Sequence, residues 1–424
     1  MKSKFIKSTI ILTIGGGMTK VLALIIKIFL TRNIGNKGIG LYMLILPTFN
    51  LFITLSTLSL STAISKLISE RLKTSKQIIL PIIPISLIYN FGLLIILILL
   101  APFIANNLLK TPIARYPIMG IGFTLPFICL SNILKGYFYG KENMLPYAIA
   151  NNLEQLVRLI FIIILTPKLL NFGINIAVLG VILINIISEL SSIICLLFFI
   201  PNKKIKWNDF KFDKPIFKDI LNISLSNTSS RIIGSISYFL EPIILTFTLS
   251  KIGYNQNYIL SEYGIIAGYV FPLLLAPSFF TLAVSTSLLP IISNNYVQGN
   301  FKYIHKKLKQ AILISLSIGF IFTLTIMIFP QFLLKFIFNT TLGINYLKFS
   351  APFFLLYYIQ GPLTAYMQAT NKAKEAMLGT LIGNIIKNIL LLILPIFLGI
   401  WGLIIASIIN ILYVTLQHLY YVKS

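Results

Sequence analysis

The 424 residues are 57% hydrophobic and only 11% charged, which excludes an ordinary soluble domain, where about a quarter of residues carry charge. The net charge of +25 is spread over short segments, with no basic domain or RNA-reading motif to collect it, so no nucleic-acid partner is expected. Cys129 and Cys195 lie in apolar runs without CxxC or Cys/His spacing, so neither a disulfide framework nor a metal site is expected.

Taken in chain order, Met1 to Lys7 and the apolar run behind them imitate a secretory signal. The run continues past Gly15-Gly16-Gly17 to Leu30 with no small-x-small site, so it reads as an uncleaved first helix. A span needs roughly 20 apolar residues. Windows of that kind predict helices over 8–30, 40–64, 78–104, 117–139, 145–167 and 174–200. Six more follow over 217–250, 263–290, 308–330, 346–368, 376–397 and 400–421, with Pro242 breaking the long seventh one. The expected fold class is an all-α polytopic membrane protein of about twelve transmembrane helices.

Alternate connecting segments, counted with the span ends that border them, differ in positive charge. Those in phase with the N-terminus hold twenty-two Lys and Arg and the others eight, which places both termini on the cytoplasmic side. Much of the +25 is therefore an orientation signal and a contact with anionic lipid.

The chain also echoes itself. Gly40, Ser61-Thr62-Ala63-Ile64 and Ile68-Ser69 recur as Gly264, Ser285-Thr286-Ser287-Leu288 and Ile292-Ser293, and Lys141-Glu142-Asn143-Met144-Leu145 as Lys374-Glu375-Ala376-Met377-Leu378. Each half has an even number of spans, so the halves read as parallel repeats with a substrate site where they meet. The expected domains are an N-terminal six-helix lobe over 1–200, a cytoplasmic linker over 201–216 and a C-terminal six-helix lobe over 217–424.

An ionisable side chain at mid-bilayer costs at least about 2.5 kcal/mol on insertion scales, so those retained face protein or water and point to function. The spans hold Lys20, Lys27, Glu154, Arg158, Glu189, Arg231, Glu241 and Lys387. Lys20 and Lys27 are two turns apart on one face with no local acid, which suits an external anion. Glu154 and Arg158, four apart, can pair directly. They either hold helices together or line a substrate site. Glu189, one turn after Asn185, either bonds a neighbouring helix or joins the site, while Lys387 is expected to snorkel to an interface. Arg231 corresponds to Lys20 when Ser230-Arg231 is aligned with Thr19-Lys20. The eight sum to a positive excess, so an anionic ligand is favoured, and pyrophosphate suits both Arg forks and Lys point charges.

No Walker A loop, HExxH, GxSxG or Ser/His/Asp arrangement occurs, and His305 and His418 fall near loops or ends. Neither catalysis nor a cofactor is expected. Transport would draw on an Na+ or H+ gradient, the membrane potential or the substrate gradient.

Several strings resemble one family. They are Gly38-Ile39-Gly40-Leu41-Tyr42-Met43 through Pro47-Thr48-Phe49, Ala63-Ile64-Ser65-Lys66-Leu67-Ile68-Ser69-Glu70, Leu134-Lys135-Gly136-Tyr137-Phe138, Leu153-Glu154-Gln155-Leu156-Val157-Arg158, and Ala351-Pro352-Phe353-Phe354-Leu355-Leu356-Tyr357-Tyr358 through Gln360-Gly361-Pro362. The resemblance is to the stage V sporulation protein B family, a polysaccharide-biosynthesis branch of the multidrug/oligosaccharidyl-lipid/polysaccharide exporter superfamily, and runs from the first span to the last. It implies a V-shaped, two-lobed, alternating-access transporter, with relatives that flip undecaprenyl-pyrophosphate-linked sugars, lipid II among them. Arg231 and Glu241 match the family's Ser-Arg and Phe-x-Glu-Pro pattern in the seventh span. Lys20 stands where lipid II flippases carry arginine, but their next arginine is replaced here by Ile26 and Lys27. Many relatives have fourteen spans against the twelve counted here.

The leading expectation is therefore a monomeric multi-pass protein of the bacterial cytoplasmic membrane that flips a lipid-linked saccharide for peptidoglycan, other polysaccharide or spore cortex. Lys20, Lys27, Arg231 and Arg158 would bind substrate, and Glu154, Glu189 and Glu241 would couple or gate. The alternative is a multidrug or metabolite cation antiporter of the same superfamily, which generally needs an acid where the first span has lysines. A membrane scaffold is the third reading.

Overall fold

The computed structural model describes residues 2–70, 74–201 and 214–423, and among these residues there is helix and no strand. The chain divides into two compact units, Met1–Phe239 and Leu240–Ser424.

The first unit opens with α1 (Lys2–Thr57), a run long enough for two spans and interrupted at Gly35. There the backbone takes φ 65° and ψ 179°, a conformation that needs a residue without Cβ. A second break, at Leu58 and Ser59, separates α1 from the short α2 (Leu60–Ser69). α3 (Ser75–Phe103) begins on a capping box, with Gln77 N donating to Thr74 Oγ1 and Thr74 N donating to the Gln77 side chain. α4 (Arg115–Gly140), α5 (Met144–Leu170) and α6 (Ile174–Phe198) complete six spans. α5 packs on α1 and α6, and α4 on α2, α3 and α6.

α7 (Lys214–Lys251) crosses from the first unit into the second. Ile216 and Ile220, in its first turns, are buried with Leu60, Ala63 and Ile64 of α2, which draws this end of the helix into the first unit. The division thus falls within α7, later than the linker expected over 201–216, of which 202–213 lie outside the described residues.

In the second unit, α8 (Gln256–Ile265), a π turn, α9 (Phe271–Leu275) and α10 (Ser278–Val297) follow one another, with a break at Ala276–Pro277. Then come α11 (Phe301–Ile328), the nine-residue α12 (Pro330–Phe338), α13 (Ile344–Ala369), α14 (Ala373–Leu398) and α15 (Trp401–Lys423). α13 is the hub, packed against α10, α11 and α15. The window from 308 to 330 predicts a single helix ending near Phe329. Pro330 instead starts α12, because a proline favours the first turn of a new helix and cannot continue the old one.

Among the described residues, nine helical stretches are long and apolar enough to cross a membrane by length and hydropathy alone. With the break at Gly35 and the more polar α5 and α13, the described residues provide twelve spans, six from α1 to α6 and six from α7 to α15. The repeat is visible in the helix ends. α4 and α13 begin at Arg115 and Ile344 and end at Gly140 and Ala369, and α5 and α14 begin at Met144 and Ala373, all 229 positions apart. The string echoes straddle this offset by about one helical turn on either side.

Large apolar side chains such as Ile88, Phe91, Ile95 and Leu99 of α3, and Phe320, Ile321 and Ile328 of α11, are exposed. Exposed apolar faces of this extent suit hydrocarbon rather than water. The protein is a multi-pass membrane protein.

Candidate functional site

The first span is held against α5 by a close approach. A Cβ on Gly15 would stand 2.7 Å from Ala148 Cβ, and Thr19 Oγ1 donates to Asn152 Oδ1 at 3.2 Å. This contact sets the face of α1 that carries Lys20 and Lys27. Lys27, two turns on, is half-buried and lines a cavity of about 200 Å³ inside the first unit. Tyr42, Gln155, Arg158 and Asn185 supply the rest of its polar lining, among aliphatic side chains. Lys20 is exposed and stands outside that lining, so the two lysines share a helix face but not a site.

Beside the cavity is a buried ionic cluster. Arg158 donates to Glu154 Oε1 at 2.9 Å along α5, and Lys135 Nζ of α4 donates to Glu154 Oε2 at 2.9 Å. Glu189 of α6 brings its Oε2 to 3.8 Å from the same ammonium. Lys135, Glu154 and Glu189 are each about one-tenth exposed or less at the side chain. Isolated ions are expensive to bury, so each must face an opposite charge, and two cations facing two acids meet that requirement. Gln155 Nε2 also donates to Glu154 Oε1, at 3.3 Å.

The cluster is not fully satisfied. Arg158 Nε, Gln155 Oε1 and Glu189 Oε2 are buried without a hydrogen-bond partner among the described residues. Such atoms are rare in folded proteins because each costs its full desolvation. Two of the three belong to residues that line the cavity.

The pairing of Glu154 with Arg158 expected from their spacing is present. Lys135 has no place in that expectation: by sequence it borders an inner connection, whereas the structure buries it between two acids. The available signal is its position more than one turn inside the end of α4, at Gly140. Lys387 is a correction. It does not reach for an interface; its ammonium bonds Glu241 Oε2, from a helix 146 positions earlier. Local spacing cannot reveal that pairing, which neutralises Glu241 inside the second unit.

Arg231 stands on the exposed side of α7 in the first unit, with Nη1 donating to Ser59 Oγ at 3.4 Å. Of the charged residues singled out in the spans, together with Lys135, the first unit holds Lys20, Lys27, Lys135, Arg158 and Arg231 with Glu154 and Glu189, an excess of three positive charges among these seven, while Lys387 and Glu241 pair in the second.

A family model described as "Polysaccharide biosynthesis protein" matches residues 5–296, more than half of the chain. The chain belongs to this family. A second model, MatE, matches residues 231–394. Stage V sporulation protein B of Bacillus subtilis (strain 168) is 35% identical over 430 residues, covering 98% of this chain and 83% of that protein. Lipid II flippase MurJ of the same organism is 23% identical, covering 90% and 76%. Among solved structures, a lipid II flippase MurJ in an inward closed conformation superposes with a TM-score of 0.75 at 18% identity, over 98% of this chain and 88% of that one. At that identity the likeness speaks for the fold, and it agrees with the twelve-span reading. The family expected from the sequence strings is thus the family found, and the Glu-Gln-Leu-Val-Arg string that suggested it carries two members of the buried cluster.

Proposed function

We propose that the protein flips an undecaprenyl-pyrophosphate-linked saccharide from the inner to the outer leaflet of the cytoplasmic membrane, with a role in spore cortex or cell-wall synthesis. The carrying observation is the cavity of the first unit, lined by Lys27 and Arg158 and flanked by unsatisfied polar atoms. A diphosphate offers several acceptor oxygens to the Arg158 fork and the Lys27 point charge, in a low-dielectric setting that strengthens both. Lys20 and Arg231, exposed in the same unit, would meet the anion on its way in. Family membership and the named relatives support the same reading.

The acids then act as gates. Glu154 is shared by Lys135 and Arg158, so a phosphate arriving on Arg158 displaces one of two cations and leaves Glu154 to Lys135. The carboxylate is never stranded, which keeps the exchange reversible. Glu189 and Glu241 would hold their helices through Lys135 and Lys387 while the charge moves. Export of an organic cation is the poorer fit, because Glu154, Glu189 and Glu241 each face a resident lysine.

The test is flipping of a fluorescent undecaprenyl-pyrophosphate saccharide in proteoliposomes, scored by accessibility of the head group to external quencher. Lys27→Ala combined with Arg158→Ala should abolish flipping. Full activity of that variant would sink the assignment.

A further inference from the structure

Leu58 (φ 42°) and Ser59 (φ 53°) stand consecutively in left-handed backbone between α1 and α2. Residues with a Cβ resist this region because it crowds the following carbonyl, so such a break persists only where its surroundings hold it. Here they hold it on three sides. A Cβ on Gly136 of α4 would stand 2.8 Å from the Ser61 backbone, so α4 presses directly on the start of α2. Leu58 packs at the edge of the apolar cluster formed by α2 with Ile216 and Ile220. On the third side α7 reaches Ser59 itself. Thr228 Oγ1 donates to Ser59 Oγ at 3.1 Å, and Arg231 Nη1 donates to the same oxygen at 3.4 Å.

The conformation decides where that hydroxyl points. Within a regular helix a hydroxyl turns back on the carbonyl four residues earlier, as Thr57 does on Ile53; Thr54 does so on Asn50 and also meets Ser235 of α7. Ser59, outside that geometry, offers its oxygen as acceptor to two donors of α7 at once. Ser59 is 3% exposed while Arg231 is exposed, so one corner of an accessible guanidinium is fastened to a buried acceptor. A guanidinium carries five N–H donors in a rigid fork, and fastening one edge aims the other outward. Side-chain freedom that must otherwise be lost when an anion binds is lost beforehand.

We propose that Ser59 is a positioning residue for Arg231, and that the left-handed break between α1 and α2 serves to present its hydroxyl. The inference rests on the reading of Arg231 as a head-group contact. Three variants separate the possibilities in the full-length protein in nanodiscs, titrated with farnesyl pyrophosphate and, as a control for tail binding, farnesol. Ser59→Ala and Ser59→Gly both remove the hydroxyl, but glycine tolerates the left-handed backbone, so the glycine variant should fold as well as the parent. Ser59→Thr keeps the hydroxyl.

Losing a hydrogen bond to a charged group should weaken farnesyl pyrophosphate binding about fivefold or more in Ser59→Gly, with Ser59→Thr near the parent and farnesol unaffected. In an Arg231→Ala background, itself weakened, Ser59→Gly should cause no further loss. If Arg231→Ala binds weakly but Ser59→Gly binds as the parent does, or if the Ser59→Gly loss persists in the Arg231→Ala background, positioning is overturned and the head-group reading stands. If Arg231→Ala binds as the parent does, both fall together.

Discussion

Lys135 Nζ lies 2.9 Å from Glu154 Oε2, so an ammonium from α4 neutralises an acid on α5 that already holds Arg158. Glu154 can therefore release one cation without becoming an unpaired buried charge, a redundancy that would free Arg158 for the ligand under the proposed function.

Removing the shared ammonium should be severe. Lys135→Met removes the ammonium that Glu189 faces and leaves Glu154 with Arg158, and stranding a buried charge costs about 3–5 kcal/mol. The thermal midpoint of the detergent-purified protein should fall sharply. Adding Glu189→Gln to Lys135→Met should restore a good part of the loss; absence of any recovery would contradict the pairing.

Arg158→Ala should separate binding from stability. Glu154 keeps Lys135, so the thermal midpoint should change little, while affinity for farnesyl pyrophosphate in nanodiscs should drop about tenfold, as expected for loss of a charge-assisted bond. Arg158→Lys keeps the charge but not the fork and should fall between the two. Equal affinity in all three proteins would remove Arg158 from the site.

Glu241 and Lys387 should behave as one unit. Glu241→Gln leaves the half-buried Lys387 without its carboxylate, and Lys387→Met leaves the buried Glu241 without its ammonium. Each alone should lower both thermal stability and flipping, and the double substitution should be milder than either, as a double-mutant cycle on thermal midpoints would register. Simple additivity would show that the ion pair does not couple the two residues.

Gly136→Ala tests the contact between α4 and α2. The new methyl would meet backbone atoms of Ser61, which cannot rotate away, and overpacking of this kind costs about 1–3 kcal/mol. A lowered thermal midpoint is expected. By contrast Gly16→Ala, whose Cβ meets nothing within 4 Å, should be neutral or slightly stabilising. If the two behaved alike in the same thermal assay, the close approach would be wrong.

Much of the molecule was decided by local sequence. Twenty-residue apolar windows place the spans because a bilayer demands that length, and the breaks at Gly35 and Pro330 follow from backbone chemistry carried by single residues. The Glu154–Arg158 pair is also local, since positions four apart share one face of a helix. What only the tertiary structure decided is which charges meet across helices. Lys135 reads as a boundary charge until α4 packs against α6 and sets it beside Glu189, and Lys387 reads as a snorkelling lysine until α14 meets Glu241 from 146 positions away. Lys20 and Lys27 look equivalent on a helical wheel and part company once α5 and α6 wall off the cavity on Lys27. Helical periodicity assigns a side chain to a face, but whether that face meets lipid, an opposite charge or a cavity depends on the helix packed against it.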